Sequence, residues 1–226
     1  MRVLAIDTAL EACSAALLDT EQAAIVASET RVMVRGHAEA LMPLVADVMR
    51  KARLNFRQLD RIAVTVGPGS FTGLRVGIAA ARGIGLTAMK PVVGLTTLAS
   101  LAAPYVAADD TMPVAAAIDA RHSQVYLQIF GAGARTLVPP RLAKLDEAVW
   151  AASVAGARLV GSGADAIAAA WPDPEGPPLV DKRRAPDIDW VARLGAAAII
   201  SQSAPKPFYL RAPDAQPQKA GQLSRR

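Results

Sequence analysis

The residues whose types and spacing suit chemistry gather in one stretch, Gly67-Pro68-Gly69-Ser70-Phe71-Thr72-Gly73-Leu74-Arg75-Val76-Gly77. It follows the apolar, β-branched run Arg61 to Val66 and precedes a long helical pattern, so it reads as a strand-to-helix junction. Pro second and Gly third in Gly67-Pro68-Gly69-Ser70 is the order of a type II turn, because Pro pre-sets φ and Gly accepts positive φ. Ser70 stands where a helix N-cap would, its hydroxyl within reach of the Thr72 or Gly73 amide. A Gly-rich turn feeding a helix can hold an anion on its backbone N–H groups; it can equally be a tight structural turn, and the sequence leaves both open. Asp7 ends the first apolar run. Asp119-Ala120-Arg121-His122 separates two later ones, and a salt bridge or turn contact is expected of Asp119 and Arg121. His37 with Glu39 at a helix start reads as an N-terminal polar cluster. Cys13, inside Ala12 to Leu18, reads as a small core hydrophobe.

The other motifs that carry chemistry are missing from the sequence. His37 and His122 fall in different expected domains, and no HExxH, HxxxH or CxxC is present, so a dedicated zinc or iron site has no obvious ligands. The Gly67 turn lacks the terminal Lys-Ser/Thr of a phosphate-binding P-loop. Gly69-Ser70-Phe71-Thr72-Gly73 is out of register with a nucleophile elbow, and no histidine is placed to serve Ser70. No catalytic residue and no metal site are therefore expected.

The elements that must position these residues follow from hydrophobic periodicity. Arg2 to Ile6, Ala12 to Leu18 and Ala23 to Val34 read as three strands, the last two joined by a hairpin turn. Leu41, Leu44, Val45, Val48, Met49 and Ala52 repeat at helical spacing, and Pro43 fits only in a first turn. In the helix from about Phe71 to Lys90, Gly73, Gly77, Ala81 and Gly85 recur every four residues, so one face is nearly bare, while Leu74, Val76, Ile78, Ile84, Leu86 and Met89 make the others apolar. Such a helix is buried on most sides, and a small-residue stripe admits a close neighbour. A helix-to-helix partner interface is expected from Leu41, Val45, Val48 and Met49 with Gly73, Leu74, Gly77, Ile78, Ala81 and Gly85; the alternative is that both helices pack wholly within the chain. A fifth strand, Val92 to Leu95, and a helix, Thr96 to Val106, precede the polar break at Ala107 to Thr111. Paired strands then flank Asp119 to His122. A helix (Leu145 to Val154), a strand (Arg158 to Val160), a helix (Gly163 to Ala170), a Pro-rich loop and a last helix (Asp187 to Ser201) close the second unit. The expected division is 1–108, 109–211 and a disordered basic tail, 212–226.

An apolar fraction of 52% with 20% charged residues describes a globular chain, and one cysteine excludes an internal disulfide framework. The opening residues reach Asp7 before an apolar leader develops, and the longest apolar stretch is broken by Arg82, so a cytoplasmic protein with no membrane segment is expected. The net charge of +5 belongs to the C-terminal segment: residues 182 to 226 carry 9 basic and 3 acidic side chains. A basic end is usually solvated and less often contacts RNA.

A carboxylate closing the first strand, followed by two antiparallel strands, is how nucleotide-binding domains of the actin and sugar-kinase type begin. Read together, IDTALEACSAAL, GHAEALMPLV, VTVGPGSFTGLRVGIAAARGIGL, VGLTTLASLA, IDARHSQVYL and PFYLR resemble the bacterial TsaB family of tRNA threonylcarbamoyladenosine biosynthesis proteins, from Met1 to about Arg211. The resemblance implies an α/β, actin-like (RNase H-like ATPase-type) fold of two tandem domains with an inactive site. It implies a scaffold subunit that pairs through its first-domain helices with a catalytic threonylcarbamoyltransferase paralogue (TsaD-like), joined by an ATPase subunit (TsaE-like) and meeting tRNA through the complex. ATP and metal are then expected on the partner subunits, with no cofactor on this chain; whether the chain alone is a homodimer or a monomer the sequence leaves open. Where the paralogue has metal-binding histidines, this chain has Leu95-Thr96-Thr97-Leu98-Ala99-Ser100-Leu101. Asp7, His37, Asp119, Arg121, Tyr209 and Arg211 are the remaining motif positions. Ala38 and Gln124 stand where the family pattern has Ser and Glu.

Overall fold

The computed structural model describes residues 1–211 and shows one sheet topology used twice. The first sheet contains β1 (Arg2–Asp7), β2 (Ala12–Asp19), β3 (Ala24–Val32), β4 (Arg61–Gly67) and β5 (Val92–Thr96) in the order β3-β2-β1-β4-β5. The second contains β6 (Val114–Asp119), β7 (Gln124–Phe130), β8 (Thr136–Lys144), β9 (Arg158–Val160) and β10 (Val180–Asp181) in the order β10-β9-β6-β7-β8. Each is an antiparallel three-strand meander extended by two strands parallel to its first. That order is the RNase H-like one, so the chain is a tandem actin-like pair, as the sequence implies.

A central strand apolar on both sides must be covered on both sides. In β1, Leu4 and Ile6 face α1 (His37–Lys51) and α2 (Phe71–Ala88), while Val3 and Ala5 face the opposite way. The cover for that second face comes from far along the chain. Ile188, Val191 and Ala192 of α6 (Ile188–Ala197) pack on Val3, Ala5 and Ala63. Arg61 Nη1 donates to the carbonyls of Gly195 (2.7 Å), Ala196 (3.1 Å) and Ala198 (2.7 Å), holding the C-terminus of that helix with a positive charge where its unpaired carbonyls converge. Conversely, Leu98 and Leu101 of α3 (Thr97–Ala108) pack on Val114, Ala116 and Ile118 of the second sheet. The two sheets divide at the Asp109-Asp110-Thr111 break, but the helices are exchanged across it. The expectation that the last helix closes the second unit is corrected: it closes the first. Helices α4 (Leu145–Val154) and α5 (Ala164–Ala169) do cover the second sheet. The expected basic tail, 212–226, lies outside the described residues.

Two strands escape sequence reading. Pro139 and Pro140 argue against a strand, yet β8 is the edge of its sheet, where a missing N–H costs no ladder bond. β10 has only two residues and gains its place by pairing with β9. Pro43 lies inside α1 beyond the first turn, contrary to expectation. It is on the exposed side of a helix held by Leu41, Leu44, Val45, Val48 and Met49.

A Cβ at position 195 would overlap Cβ of Ala63, whereas none of the neighbours of Gly83 on α2 comes within 4 Å of an added Cβ. Gly195→Ala is therefore expected to lose about 1–3 kcal/mol through overpacking, and Gly83→Ala to gain up to about 1 kcal/mol from helix propensity. Urea unfolding midpoints check both signs.

Candidate functional site

The junction at Gly67 is built by pressing the N-terminus of α2 against the loop that follows β1. Ser70 caps the helix, accepting from the Gly73 amide at 3.3 Å, as its position in the sequence implies. The Ser70 amide itself donates to the Ala9 carbonyl (2.7 Å), and Thr8 Oγ1 donates to the Gly73 carbonyl (2.7 Å). An added Cβ at Gly69 would overlap the Ala9 carbonyl oxygen, one at Gly73 the Thr8 carbonyl oxygen, and one at Gly77 the Thr8 hydroxyl. The glycine row is thus a seat for the chain's own backbone. The type II turn is corrected: the positive φ falls on Gly67 (122°) and not on Gly69, and the Gly67–Pro68 peptide is cis. Of the two open readings of the turn, anion cradle and structural turn, the geometry favours the second. The Ala9 carbonyl takes the Ser70 amide and the Ser70 hydroxyl the Gly73 amide, while the Phe71 and Thr72 amides make no hydrogen bond within the described residues.

Asp7 lies beneath this contact with no exposure. Its Oδ1 accepts from Thr65 Oγ1 (2.5 Å) and from the Ala9 amide (3.2 Å). Its Oδ2 has no partner, nor does the hydroxyl of Ser14, the residue opposite Asp7 on β2. Burial pushes the Asp7 carboxyl up to about 6, against hydrogen bonds from Thr65 and Ala9 that hold it down. His37 is nearly buried at the start of α1, its Nε2 at 3.1 Å from the Leu10 carbonyl, tying the same loop from the other side. Cys13 is fully buried, as expected, and burial raises its thiol to about 11.

Asp119 and Arg121 sit on the second sheet, at the turn between β6 and β7. Asp119 Oδ1 accepts from the Arg121 amide (2.8 Å), a turn contact. Tyr209 and Arg211 come from the end of the described chain: Tyr209 stacks on Phe71 and Arg211 reaches Ala120 and Gln124. Gln124 offers Arg211 an amide oxygen where the family pattern has a carboxylate, which keeps the hydrogen bond and drops the charge. Arg75 lies over the Phe71 ring at 3.8 Å, and Thr72 is exposed.

The ten residues expected at a partner interface are all inside the first domain. Leu41, Val45, Val48, Met49, Leu74, Ile78 and Ala81 are at most 4% exposed, and Gly73, Gly77 and Gly85 are buried with them. They form the inward faces of α1 and α2 on the sheet. Helical periodicity locates an apolar stripe but is blind to what covers it. The outward faces carry other residues: Met42 and Ala46 on α1, and Ala79, Gly83 and Leu86 on α2, with Met89 just beyond. Leu86 and Met89 are 82% and 84% exposed. Periodicity counts Leu86 and Met89 in the apolar surround; Leu86 stands one step off the glycine row, which is the available signal, and Met89 is the C-cap residue just past the helix.

The model of the TsaD family, tRNA N6-adenosine threonylcarbamoyltransferase, matches residues 23–174, well over half of the chain. The chain belongs to this family. Within it, the chain is 39% identical over 126 residues to the tRNA threonylcarbamoyladenosine biosynthesis protein TsaB of Escherichia coli (strain K12), a match covering 56% of this chain and 53% of that protein. The chain thus spans about half the length of that relative. It is 34% identical over 216 residues to an uncharacterized protein of Mycobacterium tuberculosis, covering 95% of this chain and 94% of that one. Among solved structures it is similar to YeaZ from Pseudomonas aeruginosa, with a TM-score of 0.80 and 29% identity over 92% of this chain and 99% of that one. The resemblance to the TsaB branch read from the motifs is borne out.

The raised Asp7 carboxyl makes a signed prediction. Its folded value, about 6, exceeds the ordinary 3.8, so the stability it contributes is fully present below about pH 4 and is lost as pH rises through about 6. The shift corresponds to about 3 kcal/mol. Asp7→Asn, which does not ionise, is expected to gain on the parent protein by up to about that amount between pH 4 and pH 7.5. Unfolding curves across that range test it, and a constant gap between the two proteins would refute the assignment.

Proposed function

We propose that the chain is the non-catalytic subunit of the assembly that makes threonylcarbamoyladenosine in tRNA, pairing with the catalytic TsaD-like paralogue beside an ATPase subunit. The observation that carries this reading is the filled junction: the Thr8–Ala9 backbone occupies the N-terminus of α2, and Asp7 is sealed under it. A position that a nucleotide phosphate would need is taken by the protein's own carbonyls, and carbonyl oxygens repel phosphate. The chain's contribution is then its surface, with ATP, metal and the transfer chemistry on its partners, and the modified adenosine of tRNA reached through the complex in the cytoplasm.

The pairing surface is the outward side of α1 and α2, which lie together over one face of the first sheet. Met42, Ala46, Ala79, Gly83 and Leu86 make it small and apolar. Helix α2 contains two arginines, Arg75 and Arg82, and no acidic residue. An apolar face with small residues lets a second pair of helices approach closely, and it also accounts for a homodimer when the partner is absent.

Ala79→Glu and Leu86→Glu are expected to weaken co-purification with the catalytic paralogue at least about 30-fold, the size of a hot-spot loss of about 2 kcal/mol, with thermal stability close to that of the parent because both sites are exposed. Undiminished pairing in both variants would overturn the assignment. Gly77→Leu and Ile78→Glu would instead disturb the fold. Calorimetric titration of the isolated chain with Mg-ATP is expected to show no binding, and tight binding with turnover would overturn the non-catalytic reading in favour of an ATP-using enzyme of the sugar-kinase type.

A further inference from the structure

The segment from Pro205 to Arg211 crosses from one sheet to the other, its side chains attached first to one domain and then to the other. Pro205 is buried beside Gly94 of β5. The Phe208 amide donates to the Val66 carbonyl (2.7 Å), and its ring packs on the first-domain core. Its carbonyl oxygen comes within 2.5 Å of where a Cβ on Gly67 would stand, so that position admits only glycine at this separation. Tyr209 stacks on Phe71 with centroids 5.3 Å apart, and its hydroxyl accepts from Arg75 Nε (3.2 Å). One residue later the attachments change domain. Leu210 packs on the cluster of Leu98, Ile118 and Phe130, and Arg211 donates to the Ala120 carbonyl (2.8 Å) and to Gln124 Oε1.

The loop that Arg211 grips is strained. Arg121, His122 and Ser123 have φ of 61°, 52° and 55°, three successive non-glycine residues in the left-handed region. Each costs roughly 1–2 kcal/mol and survives only where the surroundings impose it. The local restraints are the Ala120 amide on the Gln124 carbonyl (2.9 Å), the Gln124 amide on the Arg121 carbonyl (3.1 Å) and the Leu145 amide on the Ser123 carbonyl (3.0 Å). Arg211 adds a charged, two-pronged clamp across the two ends of the strained run.

We infer that residues 205–211 are a latch in which Tyr209 and Arg211 act in series, so that the conformation of the 120–124 loop on the second domain depends on the aromatic stack at the N-terminus of α2 on the first. The segment is short: Tyr209 and Arg211, its two polar anchors, are two residues apart, with Phe208 and Leu210 packed beside them on the two cores. Freeing either end gives the other slack. Phe71 and Tyr209 are both 39% exposed, so a molecule that contacts the first turn of α2 bears directly on the latch. That last consequence alone rests on the proposed pairing surface; the latch itself does not.

Amide hydrogen exchange in the full chain tests it. Arg211→Ala is expected to speed exchange of the Ala120 and Gln124 amides by about tenfold or more, as local opening becomes easier. Tyr209→Ala should do the same from the far anchor, and Tyr209→Ala/Arg211→Ala should be no faster than the faster single variant, because one broken link already releases a series connection. Arg211→Lys, which keeps the charge and loses the fork, should fall between. Unchanged exchange of the Leu4 and Ile6 amides in β1 shows that the fold is retained. Should an alanine variant also speed those amides, Tyr209→Phe and Arg211→Lys are compared in its place. Parental loop exchange in the Tyr209 variant, or additive effects of the two substitutions, would overturn the latch. It would leave the pairing surface untouched, since that is read by co-purification.

Discussion

The contact between the β1–β2 loop and the glycine row of α2 is the constraint on which the rest of the first domain depends. Backbone meets helix at Thr8 and Ala9, with the Ser70 amide on the Ala9 carbonyl and the Thr8 hydroxyl on the Gly73 carbonyl. Only residues without a Cβ allow that approach. It fixes the rotation of α2 about its own axis, which turns Leu74, Ile78 and Ala81 onto the sheet and leaves Ala79, Gly83 and Leu86 facing out. The same contact seals Asp7 and takes the Ser70 amide at the N-cap of the helix.

A strand-to-helix junction of this kind can serve either an anion or the protein. Here the polar groups are satisfied mostly by neighbours of the same chain, and the residual cost sits on Asp7, a carboxyl with one unpaired oxygen and a raised affinity for its proton.

The two sheets are joined by more than the linker between them. Helix α3 is followed by the strand it supports in the second domain, and α6 returns to the first, where Arg61 gathers its C-terminal carbonyls. The strap from Pro205 to Arg211 then runs back across, one residue packing on each core in turn. Each crossing buries apolar surface on the far side, so separating the halves exposes core from both.

Much of this was legible in the residues. Alternation and β-branched runs mark β1, β2, β4, β6 and β7. The 3.6-residue repeat marks α1 and α2, Ser70 reads as an N-cap, Cys13 reads as core, and the ordered motifs lead to the family. Those properties are local, set by each segment's own polarity and backbone preference. What lies against a surface is not local. The row Gly73, Gly77, Ala81, Gly85 has the same spacing whether a neighbouring chain or the chain's own residues lie on it, and only the tertiary structure placed Thr8 on Gly73 and Gly77 and Val92 on Gly85. The same holds for α6, whose apolar stripe does not say which sheet it covers, and for Pro139 and Pro140, tolerated because β8 is an edge. The sequence by itself determined most of the elements and what kin they have; packing at a distance, which depends on backbone separations that no side-chain pattern encodes, added β8 and β10 and decided which faces are inside.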